Sequence, residues 1–445
     1  MSIEWRGDDV RLHREIAMTP GLAQNWFALG NNFATHRDNQ LALLAFRRCL
    51  RLDPMIPEFW ANLSVVMTRA GQVADAASAA WRAVALAPNL IIGYRNLWEP
   101  LRQLKSTTLA IRSLWLTERL SPRDLSVPFN RALAHLQNGE WQAGWTAFEV
   151  RLNRRLPRHF DYVPPESALQ NRPRFDLGIS TGVVLVWGEQ GVGDEIMFGT
   201  MLEEFGRLSG CEVLVQADRR LLPLLRRSLP QYEYVERGEL VSEDRYGSHL
   251  PMGSLGGLLR GSWESFAGKS GAYLKTDIER TKRIREGLRG GSEDRLVGLS
   301  WRSANPDTGA QRSLSLEEMV RGLWRPGVRL VNLQYGDVEE EIEGVRERLG
   351  INVHRCAEVD NREDLDGLAS LLEACDEVVT VGNATAHLAG AIGKEASVLL
   401  PYVAGWRWMA EGPRTPWYAS LKLYRQDATK DWKTALQRAR RNIGP

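Results

Sequence analysis

Apolar and small residues return at a fixed interval along the first third of the chain. Trp26, Trp60 and Tyr94 stand 34 residues apart, and each leads the same run of apolar places. After Trp26 come Leu29, Gly30, Phe33, Ala42, Phe46 and Pro54. After Trp60 come Leu63, Ser64, Met67, Ala76, Ala80 and Pro88, and after Tyr94 come Leu97, Leu101, Ala110, Leu114 and Pro122. A weaker fourth copy runs through Phe129, Ala132, Gly139 and Phe148. One aromatic at such spacing is plain helix core. Aligned copies with their prolines instead predict a repeated helical unit whose apolar face is covered only by stacking.

The pattern changes twice. Beyond Arg151 a basic run to His159 is followed by Pro164, Pro165 and Pro173, and proline at that density cannot continue a helical solenoid. This reads as a linker or strap, whose arginines either meet phosphates or brace the next domain. From Gly182 short apolar runs alternate with helical segments, the pattern of a parallel α/β sheet. Strands are expected at 182–187, 211–216, 296–301, 329–334, 377–381 and 396–400. Helices are expected at 196–208, 219–229, 278–288, 316–323, 338–349, 365–374 and 432–441. Arg289-Gly-Gly-Ser292 is a plausible hinge between two doubly wound units, whose strand ends would frame a cleft.

The W-x2-L-G-x2-Y, A-x3-F and P places of the first third are those of the tetratricopeptide repeat, whose stacks leave a concave groove for peptides or partner proteins. The expected order is therefore α + α/β: repeats at 1–155, a linker at 156–180, and two Rossmann-like domains at 181–291 and 292–445.

Composition narrows the function classes. A net charge of +2 gives no whole-chain argument for nucleic acid. Cys49, Cys211, Cys356 and Cys375 form no C-x-x-C pair, which suits a reducing cytoplasm and argues against structural zinc. Neither an apolar leader nor a stretch of 18 apolar residues is present, so no transmembrane segment is expected and the chain is placed in the cytoplasm.

Candidate chemistry gathers at the strand ends. Trp187-Gly-Glu-Gln-Gly-Val-Gly-Asp-Glu195 is a glycine-rich turn without the Gly-Lys-Ser/Thr of a Walker loop. Asp194 there is either a general base facing a substrate hydroxyl or a plain helix cap. Glu189, Gln190, Gly193 and His249 would share its acceptor-side cleft. In the second unit, small residues at Asn383, Ala384 and Thr385 open a helix onto which a diphosphate could sit, with His387 one turn in. The runs Trp301-Arg302-Ser303, at the first strand end of this unit, and Arg312-Ser313 could neutralise phosphates through their arginines. Trp406-Arg407-Trp408 could stack on a base or sugar, or only wedge the domains together. No D-x-D lies at a strand end, so neither a metal nor a cofactor is expected.

The stretch from about 180 to 435 resembles bacterial glycosyltransferases of the heptosyltransferase-like group (family 9), in the version fused behind tetratricopeptide repeats. The resemblance rests on Trp187 through Asp194, Val297-Gly-Leu-Ser-Trp301, Arg312-Ser313, Ala386 through Lys394, Pro401 through Trp408, and Pro416-Trp-Tyr418. It implies a GT-B fold and a nucleotide-sugar donor held by the second domain, with Asp194 as the base of an inverting, metal-independent transfer. One departure stands out: the family's D-T-S/G before x-x-H is replaced by Gly382, Asn383 and Ala384. The layout is also similar to protein O-linked N-acetylglucosamine transferase and to flagellin glycosyltransferases whose repeats bind the acceptor protein. The alternatives are a repeat scaffold with a decayed catalytic half, and a sugar-nucleotide epimerase, which would leave the repeats unexplained.

Overall fold

The computed structural model describes residues 7–153, 172–305, 308–441 and 443. Contacts divide the chain into two compact units, one holding the helices up to Asn138 together with Asn153, the other holding Gly139–Leu152 and the two sheets. The α + α/β order expected from the sequence is the order observed. Among the described residues no helix is long and apolar enough to cross a membrane.

The first unit runs through α1 (Gly7–Met18), α2 (Ala23–Thr35), α3 (Asn39–Leu52), α4 (Pro57–Arg69), α5 (Val73–Leu86), α6 (Ile91–Gln103), α7 (Thr107–Leu120) and α8 (Ser126–Asn138). Each packs chiefly on its sequence neighbours, as a solenoid requires. The 34-residue period has a hydrogen-bond basis. The Trp26 indole donates to the Pro20 carbonyl at 3.0 Å, Trp60 to Pro54 at 2.8 Å, and the Tyr94 hydroxyl to Pro88 at 3.1 Å. Each aromatic thus ties its helix to the turn before it. Gly30 is required because a Cβ there would lie 2.6 Å from the ring of Phe46, which is fully buried.

The fourth copy breaks this rule. Its equivalent of the aromatic is Pro128, which carries no donor. Past Asn138 the chain turns at Gly139 (φ +77°) and leaves the repeat unit. Helix α9 (Trp141–Phe148) and the 3-10 turn Glu149–Leu152 pack within the second unit instead. The run of stacked repeat helices therefore ends at Asn138, and Phe148, expected in a fourth repeat, belongs to another core. The expected basic and proline-rich linker lies largely outside the described residues.

Two parallel sheets make the second unit. The first contains β1 (Val183–Trp187), β2 (Glu212–Ala217), β3 (Glu233–Glu236) and β4 (Ser248–Pro251), in the order β3-β2-β1-β4. The second contains β5 (Arg295–Ser300), β6 (Val328–Asn332), β7 (Val353–His354), β8 (Glu377–Val381), β9 (Ala396–Leu400) and β10 (Leu421–Arg425), in the order β10-β9-β8-β5-β6-β7. The strand order reverses between β5 and β8 and, in the first sheet, between β1 and β4. Crevices for ligands open at such reversals, beyond the carboxyl ends of the strands.

Helix Ile278–Arg289 corrects the hinge expectation. It packs on helix Leu365–Ala374, with Arg280 paired to Asp364 at 2.5 Å and Arg285 paired to Asp376. It is a layer of the second sheet's domain. Gly290 and Gly291, both at positive φ, are therefore the turn into β5 and not a joint between the sheets.

An aromatic core holds α9 in place. Trp145 meets Phe148, Phe198, Trp406 and Trp417 at centroid distances of 5.6–6.3 Å, in edge-on geometry. Its indole donates to the Arg260 carbonyl at 2.8 Å. Beside it Arg151 forms a two-pronged pair with Glu189, at 2.7 and 2.8 Å, and both side chains are buried.

Candidate active site

Asp194 sits in the first turn of helix Val192–Gly199, which begins five residues after β1 ends. The intervening loop is braced from below. Glu195 is buried, accepts from Arg237 at 2.7 Å and from the Asp218 backbone at 2.7 Å, while Arg237 also holds the Gln190 carbonyl at 2.8 Å. A side chain at Gly188 would collide with Glu195 at 2.4 Å, so the loop can close over that carboxyl only with glycine. Burial pushes the Glu195 carboxyl up to about 7, against the pull of Arg237.

Across from it, helix Ala384–Ala391 begins after β8, at the strand reversal of the second sheet. Asn383 is its cap: Oδ1 accepts from the Ala386 backbone at 3.3 Å and from the Thr380 hydroxyl at 3.1 Å. Its amide nitrogen donates to Ser300 at 2.8 Å and to the Arg302 carbonyl at 3.1 Å, lacing the ends of β8 and β5 together. The two helix starts touch. A Cβ at Gly193 would come within 3.1 Å of the His387 ring and 3.5 Å of the Ala384 backbone.

His387 is buried, stacked on Trp408 with centroids 4.7 Å apart, and its Nδ1 lies 3.2 Å from the Tyr418 hydroxyl. Burial first, then the Arg407 and Arg312 charges, press its pKa down to about 3, so the ring is neutral at physiological pH. Burial also holds Tyr418 well above its ordinary value, so that hydroxyl keeps its proton. With Tyr418 donating to Nδ1, the single ring proton is assigned to Nε2. The ring can then offer one hydrogen bond, without a charge.

Two cavities meet here. The smaller, about 170 Å³, is lined by Gly193, Asp194, Arg312, Asn383, His387 and Arg407, among others. The larger, about 480 Å³, is lined by Arg220, Arg302, Asn361, Leu365, Leu368 and Thr385, among others. Tyr335 and Ala384 belong to both walls. The Thr385 hydroxyl is buried without a partner, a polar group left for whatever fills the larger space.

Of the residues singled out from the sequence, Gly193, Asp194, Arg312, Asn383, Ala384 and His387 share the smaller cavity, and Arg302 and Thr385 line the larger. Four go elsewhere. Trp301 is fully buried in the core of the second sheet, its indole bonded to Glu341 at 3.0 Å, because its side chain turns under the helices rather than off the strand end. Trp406 is spent in the aromatic core around Trp145 and Trp417, the wedge reading of that motif. Glu189 is neutralised by Arg151 and also accepts from the Gly253 backbone at 2.8 Å. His249 accepts from the Trp187 indole at 3.2 Å on β4, and burial then Arg174 lowers its pKa. Gln190 is buried and is not among the residues lining either cavity, but its Oε1 accepts from Arg407 at 3.4 Å.

Arg407 and Trp408 were not singled out individually. Arg407 Nε donates to Asp194 Oδ1 at 2.5 Å, and its Nη2 pairs with the same oxygen. Trp408 explains Gly382: a side chain there would press on the Trp408 indole at 2.8 Å and on Leu400 at 3.1 Å. The room for an acidic residue at 382 is taken by that ring. The available signal was the alternation of tryptophan and arginine at 406–408.

No family model matches the chain. It is 29% identical over 432 residues to Protein FlbA of Caulobacter vibrioides, an alignment covering 89% of this chain and 68% of that protein. The crystal structure of MamA matches 32% of this chain and 85% of its own at 18% identity and a TM-score of 0.31. YrrB, described as a TPR protein with an unusual peptide-binding site, matches 32% of this chain and 74% of its own at 15% identity and a TM-score of 0.30.

Proposed function

We propose that the chain is an inverting glycosyltransferase that moves a sugar from a nucleotide-sugar to an acceptor hydroxyl, on a protein held by the repeats. The observation that carries this reading is the pair of adjacent cavities at the strand reversal, sharing Tyr335 and Ala384 in their walls, with a carboxylate and a helix start on the smaller one. The larger space, walled by Tyr335, Leu365 and Leu368, suits a nucleoside. The start of helix Ala384–Ala391, with Arg312 beside it, suits the phosphates. The sugar then falls in the smaller cavity against Asp194.

In this account Asp194 takes the proton of the acceptor hydroxyl as its oxygen bonds to the anomeric carbon. The bond from that carbon to phosphate oxygen breaks, and the charge left on the nucleotide is met by Arg312, the backbone N–H groups of Ala384 and Thr385 and the Nε2–H of His387. The support for a protein acceptor is the helical-repeat unit ahead of the sheets. A second reading, a scaffold without catalysis, is favoured by two observations: Gly382 leaves no carboxylate beside the helix start, and Arg407 covers Asp194. A thermal-shift screen of nucleotide-sugars, CMP-linked acidic sugars included, separates the two. A midpoint raised by one donor class supports the transferase, and none raised by any supports the scaffold.

A further inference from the structure

We infer that Arg407 serves two partners in turn. It pairs with Oδ1 of Asp194 in this structure and leaves it for an anionic group of the substrate, so that substrate arrival uncovers that oxygen. This rests on the reading of the smaller cavity as the place of a phosphate-bearing substrate. Arg407 comes from the turn Trp406–Trp408 beyond β9 and Asp194 from the helix start beyond β1, and both line that cavity with Arg312. Two guanidinium nitrogens converge on the single oxygen Oδ1 of Asp194. An oxygen so engaged cannot accept a proton from a hydroxyl until the cation withdraws.

The pair is also a poor use of the guanidinium. Its planar fork is best matched by two oxygens of one anion, which phosphate supplies and Oδ1 alone does not. The Trp406 ring lies under the guanidinium, 4.9 Å from centroid to Cζ, and supports it whichever anion it meets. Gln190 adds an independent sign that the arrangement awaits a ligand. It is held in the left-handed region (φ +60°) without being glycine, and its buried Nε2 has no partner although Oε1 lies 3.4 Å from Arg407. Strained backbone and unpartnered buried donors concentrate where a ligand completes the contacts. Arg407 is thus a positioning residue for the proposed reaction: it keeps Oδ1 of Asp194 covered until the donor is in place.

The test is calorimetric binding of inorganic pyrophosphate to the full chain, as wild type, R407Q, D194N and the double variant. R407Q is expected to weaken binding by about tenfold or more, the worth of one charge-assisted contact. D194N is expected to tighten it, by at least about tenfold more in the wild-type background than in the R407Q background, because only with Arg407 present does pyrophosphate have an ion pair to break. Binding by D194N alone, with none by the wild type, has the same meaning. R407K, which keeps a cation without the fork, should fall between wild type and R407Q and guards against misfolding. Equal tightening in both backgrounds is what simple repulsion gives; it overturns the exchange while leaving the phosphate site standing. Unchanged affinity in R407Q overturns it as well, and no binding by any variant removes the phosphate reading together with it.

Discussion

Replacing Arg151 by Met should cost the second unit more than any other single side chain named above. Arg151 donates twice to Glu189, at 2.7 and 2.8 Å, once to the Phe148 carbonyl at 3.1 Å and once to Ser254 at 2.9 Å. Its side chain is 2% exposed and that of Glu189 4%, so water cannot take over either half. Burial alone would lower the Arg151 pKa, but Glu189 and Glu149 raise it, so the guanidinium keeps its charge. Removing one member of a buried pair leaves the other charge stranded, at a cost of about 3–5 kcal/mol. For a unit of this size that is a fall of roughly 6–10 °C in the midpoint, at about 2 °C per kcal/mol. The charge, rather than the lost packing, should be the cause. R151M/E189Q keeps an acceptor for the Gly253 N–H while removing the stranded charge, so it should recover most of the loss. The assay is urea unfolding followed by tryptophan fluorescence, since Trp141 and Trp145 lie on the same segment. A loss below about 1 kcal/mol in R151M, or a double variant no better than the single, would refute the reasoning.

Three further outcomes are expected. His387, held at about 3 against an ordinary 6.5, is protonated only in the unfolded chain as pH falls below 6.5, so its contribution declines by about 2 kcal/mol by pH 5. Glu195, raised to about 7 from 4.5, acts oppositely: the folded chain binds its proton first, so stability rises as pH falls from 7 toward 4.5. Urea unfolding at pH 7 and pH 5 should therefore show H387Q gaining relative stability at pH 5 and E195Q losing it, and the reverse signs would contradict the assignments. Gly382→Ala should cost about 1–3 kcal/mol by pushing on Trp408, and W408F should relieve it, which thermal unfolding of the pair would check. A fragment ending at Asn138 should be monomeric and cooperatively folded, whereas one ending at Leu152 should aggregate, because it carries Trp141, Trp145 and Phe148 without their core; sedimentation distinguishes them.

The repeats were legible because each aromatic has a local job, a bond to a proline carbonyl six residues earlier, and local jobs leave periodic traces. Six of the ten strands were legible for the same kind of reason, as short buried runs bounded by turns, whereas β3, β4, β7 and β10, at the sheet edges, were not expected. The site residues on helix starts, Asp194 and Ala384 through His387, were read from strand-turn-helix grammar and do share one region. Arg407 escaped because its meaning comes from a carboxylate 213 positions away, a pairing that no spacing rule encodes. Trp301 and Trp406 were misplaced because a strand-end or loop aromatic looks the same in sequence whether it faces a cleft or a core. The fourth repeat copy was misread for a related reason. Phe148 keeps the apolar pattern, and only the missing donor at Pro128 signals that the stack has stopped.

The most direct test of the account is label transfer from a radiolabelled nucleotide-sugar to protein, using extract from cells lacking the chain as the acceptor source. Wild-type chain should label a discrete protein and release the nucleotide. Asp194→Asn preserves shape but removes basicity, and should do so about 10²–10⁴-fold more slowly although nucleotide binding is not weakened. Equal labelling by both would contradict the role of Asp194, and nucleotide bound but no label transferred by either would contradict the transferase itself.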